Sequence, residues 1–270
     1  MELSKRLQAV ADLVSVGSIA CDVGCDHGYI PVWLIQNRIC PRVIAVDRGA
    51  GPLGNAKENV RAFGLEEYIT LRLSDGVASL EKGEADSLIL AGMGGRLIIK
   101  ILSEGMEKIR AMKEVVLQPQ SEIAAVRRFL RESGFYIVQE NMVYEDGKYY
   151  PMMRAVLPET REEENASGRV KETGRNVGFG VGTAGDRSRE AAAEAEEIRR
   201  EAYDRYGEYL LRHCHSVLYQ FLLWEQEREH IIGREIFVSG KEKTEKCRQR
   251  AAALERSEKI RNYALSCFTE

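Results

Sequence analysis

Apolar residues over the first 157 positions change their spacing repeatedly, and each change marks an element. Leu3, Leu7, Val10, Leu13 and Val14 recur at helical spacing, with Gly17 as the expected stop. From there short apolar runs alternate with amphipathic stretches. SIACDV, RVIAVD, ITLRLSD, DSLILAG and EVVLQP read as strands. HGYIPVWLIQN, GPLGNAKENVRAFG, RLIIKILSEGMEKI and SEIAAVRRFLRESG read as helices, the last with Ser121 placed to cap it and Gly134 to end it. FYIVQENMVYEDGKYYPMMRAVL closes the series as two strands about an Asp146-Gly147 turn.

Strands that alternate with helices imply a parallel sheet covered on both faces, and a final pair with no helix between them adds an antiparallel strand. The predicted class is therefore α/β, a doubly wound domain over residues 1–157. Residues 158–188, rich in charge and glycine and poor in core-forming side chains, read as a linker. Residues 189–270 read as a helical hairpin with a coiled-coil-like repeat: one helix carries Tyr203, Leu210, Cys214, Val217, Phe221, Trp224 and Ile231, a break falls at Ile236–Gly240, and a second helix carries Leu254, Ile260, Ala264 and Leu265.

Composition narrows the class further. The chain has 270 residues, 44% hydrophobic and 30% charged, which suits a soluble globular protein. A formal charge of −3 argues against a wholly basic nucleic-acid binder but leaves room for local patches. No apolar run is long enough for a membrane span, the N-terminus lacks a signal-peptide core, and six scattered cysteines suit reduced, buried thiols, so a cytoplasmic location is expected.

The strongest chemical signal is DVGCDHG, Asp22 to Gly28, which follows a strand and opens a helix. Its glycines let a ligand approach the backbone, as in dinucleotide sites, but a carboxylate stands in the middle. Facing a pyrophosphate, Asp26 would repel; facing the ammonium and sulfonium of S-adenosylmethionine, it attracts. Asp47, beside Arg48 at the end of the second strand, is placed for ribose hydroxyls, and Asp75-Gly76 at the end of the third is placed for an adenine amino group. The fourth strand ends in AGMGG, where Ala91, Gly92 and Met93 leave room for a flat base or for the methionine end of the cofactor. A metal is not expected: His27, Cys21 and Cys25 lie close in sequence, but Cys21 sits inside a strand and no fourth ligand is near.

DVGCDHGYIP, AVDRG, LSDG, AGMGG, LQPQ and EDGKYYP together resemble the TrmK family of bacterial tRNA (adenine-22-N1)-methyltransferases, over residues 3–157 by motif and over the helical tail in architecture only. The likeness implies a class I, Rossmann-like fold, S-adenosylmethionine as cofactor and methyl transfer to N1 of an adenine in the D-arm of tRNA. It maps a cofactor turn onto Asp22, Gly24, Asp26, His27 and Gly28, and a ribose carboxylate onto Asp47. The stretch from Pro158 to Glu201 departs from the family's shorter connection.

Adenine N1 carries a free lone pair, so such an enzyme works mainly by positioning, and the product ring is cationic. Asp26 is the candidate to stabilise that charge, or else a ligand of the cofactor ammonium; Tyr29 is the candidate to stack on the target base, or else packs on the sheet. Gln118, Pro119 and Tyr149 are candidate base contacts. For tRNA phosphates the last helix offers Lys241, Lys243, Lys246, Arg248, Arg250, Arg256, Lys259 and Arg261, with Lys246, Arg248 and Arg250 as the central candidates and a solvated helix face as the plain alternative. Arg127, Arg128 and Arg131 form a second, weaker patch. Two other functions stay open: methylation of another RNA, a protein or a small molecule, and non-catalytic RNA binding by a vestigial cofactor fold.

Overall fold

The computed structural model describes residues 1–166, 186–238 and 245–269. The chain divides into two compact units, 1–172 and 173–270. In the first, α1 (Lys5–Ala11), β1 (Ala20–Val23), α2 (Tyr29–Gln36), β2 (Val43–Asp47), α3 (Ala50–Ala62), β3 (Ile69–Leu73) and β4 (Ser87–Gly94) are followed by α4 (Gly95–Glu104) and α5 (Met106–Ile109). Then come β5 (Glu114–Ser121), α6 (Ile123–Glu132), β6 (Tyr136–Glu145), β7 (Lys148–Val156) and α7 (Pro158–Ala166). The seven strands form one sheet in the order β3-β2-β1-β4-β5-β7-β6. β1 to β5 run parallel, and β7 lies antiparallel between β5 and β6.

Period-2 alternation sends strand side chains to two separate cores. Leu88, Leu90, Val115 and Leu117 pack with Ile98, Leu102, Val126 and Leu130 of α4 and α6. Ile89 and Val116, one residue out of phase, pack on the opposite face with Val10, Ile30, Leu34 and Val60 of α1, α2 and α3. Burial on both faces explains why the central strands read as unbroken apolar runs. β1 lies between β2 and β4, which are reached by crossovers on opposite faces, so a crevice opens beyond its carboxyl end.

Several boundaries differ from the sequence reading. Ser121 does not cap α6: it ends β5, its hydroxyl accepts from Gly95 N at 3.3 Å, and Glu122 takes the N-cap position instead. The helix expected over 96–109 is parted at Gly105, where the backbone passes against Val77. Residues 158–166, expected within the linker, form α7, and Arg161 stacks over Tyr136 of β6 at 4.4 Å. Arg127, counted in a surface patch, is buried and ion-paired to Glu140 at 2.8 Å. The break expected at Ile236–Gly240 falls partly outside the described residues.

The second unit holds α8 (Asp186–Tyr206), α9 (Glu208–Arg212), α10 (Ser216–Val238) and α11 (Glu245–Ser266). The single helix expected through Tyr203 and Ile231 is broken twice, at Gly207 (φ 95°) and Cys214 (φ 48°), both in the left-handed region that no helix continues through. α11 packs on both α8 and α10, so three long helices replace the expected hairpin. A polar network sits between them. Arg205 reaches Glu225 (2.8 Å) and Ser257 (2.6 Å), the Tyr206 hydroxyl donates to Glu225 (2.5 Å), and Arg261 pairs with Glu229. Burial, with Glu225 beside it, pushes the Tyr206 phenol far above its ordinary value.

Glu114, at the amino end of β5, ties α1 to the sheet. It accepts from Ser15 N (2.8 Å) and Ser15 Oγ (2.6 Å) and pairs with Arg154 of β7, which is itself buried. Glu114→Ala removes the carboxylate that joins Ser15 to the buried Arg154 and should destabilise the protein by about 3 kcal/mol. Urea denaturation checks this, and a loss below about 1 kcal/mol would show that the pair contributes little.

Candidate active site

Beyond β1 the chain turns through Gly24 (φ 77°), Asp26 (φ 43°) and Gly28 (φ 68°) before entering α2. Gly24 N and Cys25 N both donate to Val46 O, at 2.8 and 3.1 Å, which fastens the turn to β2. Two glycines are favoured by their positive φ and by close neighbours. A Cβ on Gly24 would meet Met93 Cε at 2.5 Å, and one on Gly28 would meet Ala56 Cβ of α3 at 3.3 Å. Asn59 completes the clamp, its amide donating to His27 O at 2.9 Å.

Asp22 lies beneath this turn and is 4% exposed. Its carboxyl is pushed from 3.8 up to about 7, first by burial and then by the nearby Asp47 charge. Asp47 is half-buried, and its Oδ1 accepts from Gly49 N at 2.8 Å. Arg48 and Asp75 are exposed, and Gly76, beside Asp75, packs on Ile101. At the end of β4, Ala91 and Met93 are half-buried, and the pairing with β5 slips around an exposed Gly92. Asp26 stands on the rim, its side chain 64% exposed and 3.7 Å from His27 Nε2. The His27 and Tyr29 rings stack at 5.2 Å, both part-exposed, so Tyr29 faces outward instead of packing on the sheet.

The predicted cofactor residues therefore gather at the carboxyl ends of β1, β2, β3 and β4. The predicted base contacts divide. Gln118 is fully buried, and its amide is occupied within the protein: Oε1 accepts from Gly92 N (3.1 Å) and Arg6 Nη1 (3.0 Å), while Nε2 donates to Pro119 O (3.3 Å). Pro119 is buried opposite Met93. Tyr149 stays part-exposed at the β6–β7 turn against Tyr144, ring centroids 4.6 Å apart, and burial raises its phenol above the ordinary value. Arg248 and Arg250 are exposed on α11 in the second unit; Lys241 and Lys243 and the side chain of Lys246 lie outside the described residues.

Arg6 escaped the sequence reading. It reaches from α1 to the β4–β5 edge, bonded to Gln118, with its guanidinium 5.5 Å from the Tyr150 ring centroid. The signal was there: position 6 falls among Leu3, Leu7 and Val10, a cation on the apolar stripe of the first helix. Among the described residues, no cluster of His, Cys, Asp and Glu is arranged to hold a metal ion, and no helix is long and apolar enough to cross a membrane. Cys21 and Cys25 are buried, which pushes both thiols up.

Strand order, the antiparallel β7 and a glycine turn at the switch point define the class as a Rossmann-like methyltransferase fold. A methyltransferase-domain family model matches residues 3–153. The tRNA (adenine(22)-N(1))-methyltransferase of Bacillus subtilis is 37% identical over 155 residues, which are 57% of this chain and 65% of that protein, just under two thirds of its length. The crystal structure of B. subtilis TrmK aligns with a TM-score of 0.74 at 26% identity, covering 97% of this chain and 98% of that one. A provisionally named tRNA (m1A22) methyltransferase of Streptococcus pneumoniae, in complex with S-adenosyl-L-methionine, aligns at 0.70 and 27%, covering 97% and 99%. The chain belongs to the methyltransferase-domain family and, within it, to the TrmK family.

The raised pKa of Asp22 carries a cost. Between about pH 4 and 7 the folded state keeps a proton that the unfolded chain has lost, so stability falls as pH rises through that window. Asp22→Asn removes this dependence and should stabilise the ligand-free protein at pH 8 by on the order of 1–3 kcal/mol, with little gain at pH 4. Denaturation at both pH values checks it; equal gains would remove Asp22 from the titration.

Proposed function

We propose that this chain transfers the methyl group of S-adenosylmethionine to N1 of an adenine in tRNA, at position 22 of the D-arm. The observation that carries the cofactor half is Asp22: a buried carboxylate with no cation among the described residues paired to it, beside Asp47 and under a glycine turn. An anionic pyrophosphate would worsen that site, whereas a ligand bearing ammonium and sulfonium charges relieves it. The turn Gly24–Gly28 and Asp22 would hold the methionine end, Asp47 the ribose hydroxyls and Asp75 the adenine amino group, with Arg48, Gly76 and the backbone of Ala91, Gly92 and Met93 completing the wall. Bound there, the cofactor supplies an activated methyl group.

The tRNA half rests on the B. subtilis relative's named activity and on the chemistry of the rim. Adenine N1 needs no base to deprotonate it, so the chain's task is to hold the ring in line and to stabilise the cationic product. Asp26 is suited to this. Its backbone is pinned in the left-handed region while its carboxylate stays at the mouth, and the stacked His27–Tyr29 pair offers a flat surface for an unpaired base. Incubation with labelled S-adenosylmethionine and unmodified bacterial tRNA, followed by nucleoside mapping, tests the whole reading; label in protein, in a small molecule or nowhere would reject it.

Within it, Asp26→Asn should lower kcat about 10²-fold and leave cofactor affinity within about twofold, since the group acts on charge that develops at the base. Normal turnover at saturation would assign Asp26 to cofactor holding or to turn geometry.

For tRNA phosphates the second unit offers less than its sequence promised. Arg256 pairs with Glu201 (2.6 Å), Lys259 with Glu194 (2.9 Å), and Arg261 is buried on Glu229. The amino-terminal half of α11, where Arg248 and Arg250 are exposed, is the proposed contact. Charge reversal at Lys246, Arg248 and Arg250 should weaken tRNA binding and flatten its salt dependence by roughly one log unit per lost contact. An unchanged salt slope would make α11 structural.

A further inference from the structure

Arg6 is a part-buried cation with one hydrogen bond, to the neutral Gln118 amide, and no carboxylate of the described residues within ion-pair distance. Its placement is built, not incidental. Ser4 caps α1, its Oγ accepting from Leu7 N at 3.3 Å. Glu145, at the β6–β7 turn, accepts from Lys5 N at 2.7 Å, and Glu114 holds Ser15 just past the helix. Three anchors thus fix a seven-residue helix so that position 6 meets the sheet edge. There the guanidinium stacks over Tyr150, and Nη1 comes 3.6 Å from where a Cβ on Gly92 would stand. A part-buried cation whose partners among the described residues are neutral is stabilised when an anionic ligand supplies a counter-charge.

The side of the sheet tells which anion. Asp22 and Asp47 lie at the carboxyl ends of β1 and β2 and Asp75 just past β3, whereas Arg6 is held over β4, β5 and β7. With about 4.8 Å between strands, β5 lies roughly 10 Å from β1 across β4. That span is comparable with a nucleotide's reach from base edge to phosphate. A guanidinium beside adenine N1 would oppose the cationic product; one at the far end of the same nucleotide would not.

We propose that Arg6 is a positioning residue for the RNA: its guanidinium takes a phosphate flanking the target adenosine and sets that nucleotide across the Gly92 bulge, with N1 toward the Asp26 turn. The proposal rests on the tRNA reading above. Gln118 then acts through Arg6, fixing the fork whose remaining donors meet the phosphate.

The test compares wild-type protein with Arg6→Gln and Arg6→Lys on unmodified tRNA. Arg6→Gln should raise the tRNA KM about tenfold, reduce the salt slope of tRNA binding by about one contact, and leave S-adenosylmethionine affinity within twofold. Arg6→Lys should keep the slope. A second arm alters only the RNA: an uncharged methylphosphonate at the 5′ or the 3′ phosphate of the target adenosine, each in turn. One of them should cost the wild-type protein the same factor and cost Arg6→Gln nothing more. Weakened cofactor affinity with an unchanged tRNA KM would assign Arg6 to the methionine carboxylate and overturn the proposal, as would losses that simply add. Failure of the wild-type protein to methylate tRNA at all is a separate result, and it rejects the reading beneath.

Discussion

Two carboxylates at the ends of adjacent parallel strands, with one of them buried, set the terms for the rest of the first unit. Asp22 is held beneath the turn by the ladder that pairs it with Ala45 of β2 and Ile89 of β4, so it has no freedom to swing into solvent. Asp47, at the end of β2, adds a like charge to the burial. Such a site is unfavourable in the empty protein and favourable around a cation, so the energy lost in folding returns as selectivity on binding.

The scaffold tolerates that cost because its stabilising charges lie elsewhere. Glu114 with Arg154 and Arg127 with Glu140 are buried and paired, at the amino end of β5 and on α6 against β6. Around them two apolar cores cover both faces of the sheet. The buried charges that steady the fold are paired, whereas the buried Asp22 lies beside a like charge at the carboxyl edge. This contrast in partnership separates Asp22 and the part-buried Arg6 from the buried, paired Glu114, Arg127, Glu140 and Arg154.

The turn was legible in sequence because every constraint on it is local: a strand, two glycines, a carboxylate between them and a helix lie within a dozen residues. The sheet was legible because burial on both faces leaves continuous apolar runs. Features that depend on distant partners were not. Ser121 has the chemistry of a cap, but Gly95 of a neighbouring element competes for its hydroxyl. Gln118 has the chemistry of a base reader, yet two donors from α1 and β4 fill its carbonyl oxygen. The apolar register across Gly207 and Cys214 is real, but the helix is broken by two backbone conformations that hydrophobic spacing does not encode.

Counting cations in the second unit misled for a related reason. Helical charges three or four residues apart are visible in sequence, whereas Arg256 and Lys259 of α11 find glutamates on α8, more than fifty positions away. A basic helix facing an acidic one is a packing device first, and only the surplus remains for phosphates. The same logic applied to α1 gives the opposite result. Arg6 sits where a packing device would carry leucine, and it meets an amide and an aromatic face instead of an acid. One cation whose partners among the described residues are all neutral is a stronger sign of an anionic ligand than Arg256, Lys259 and Arg261 with glutamates across from them.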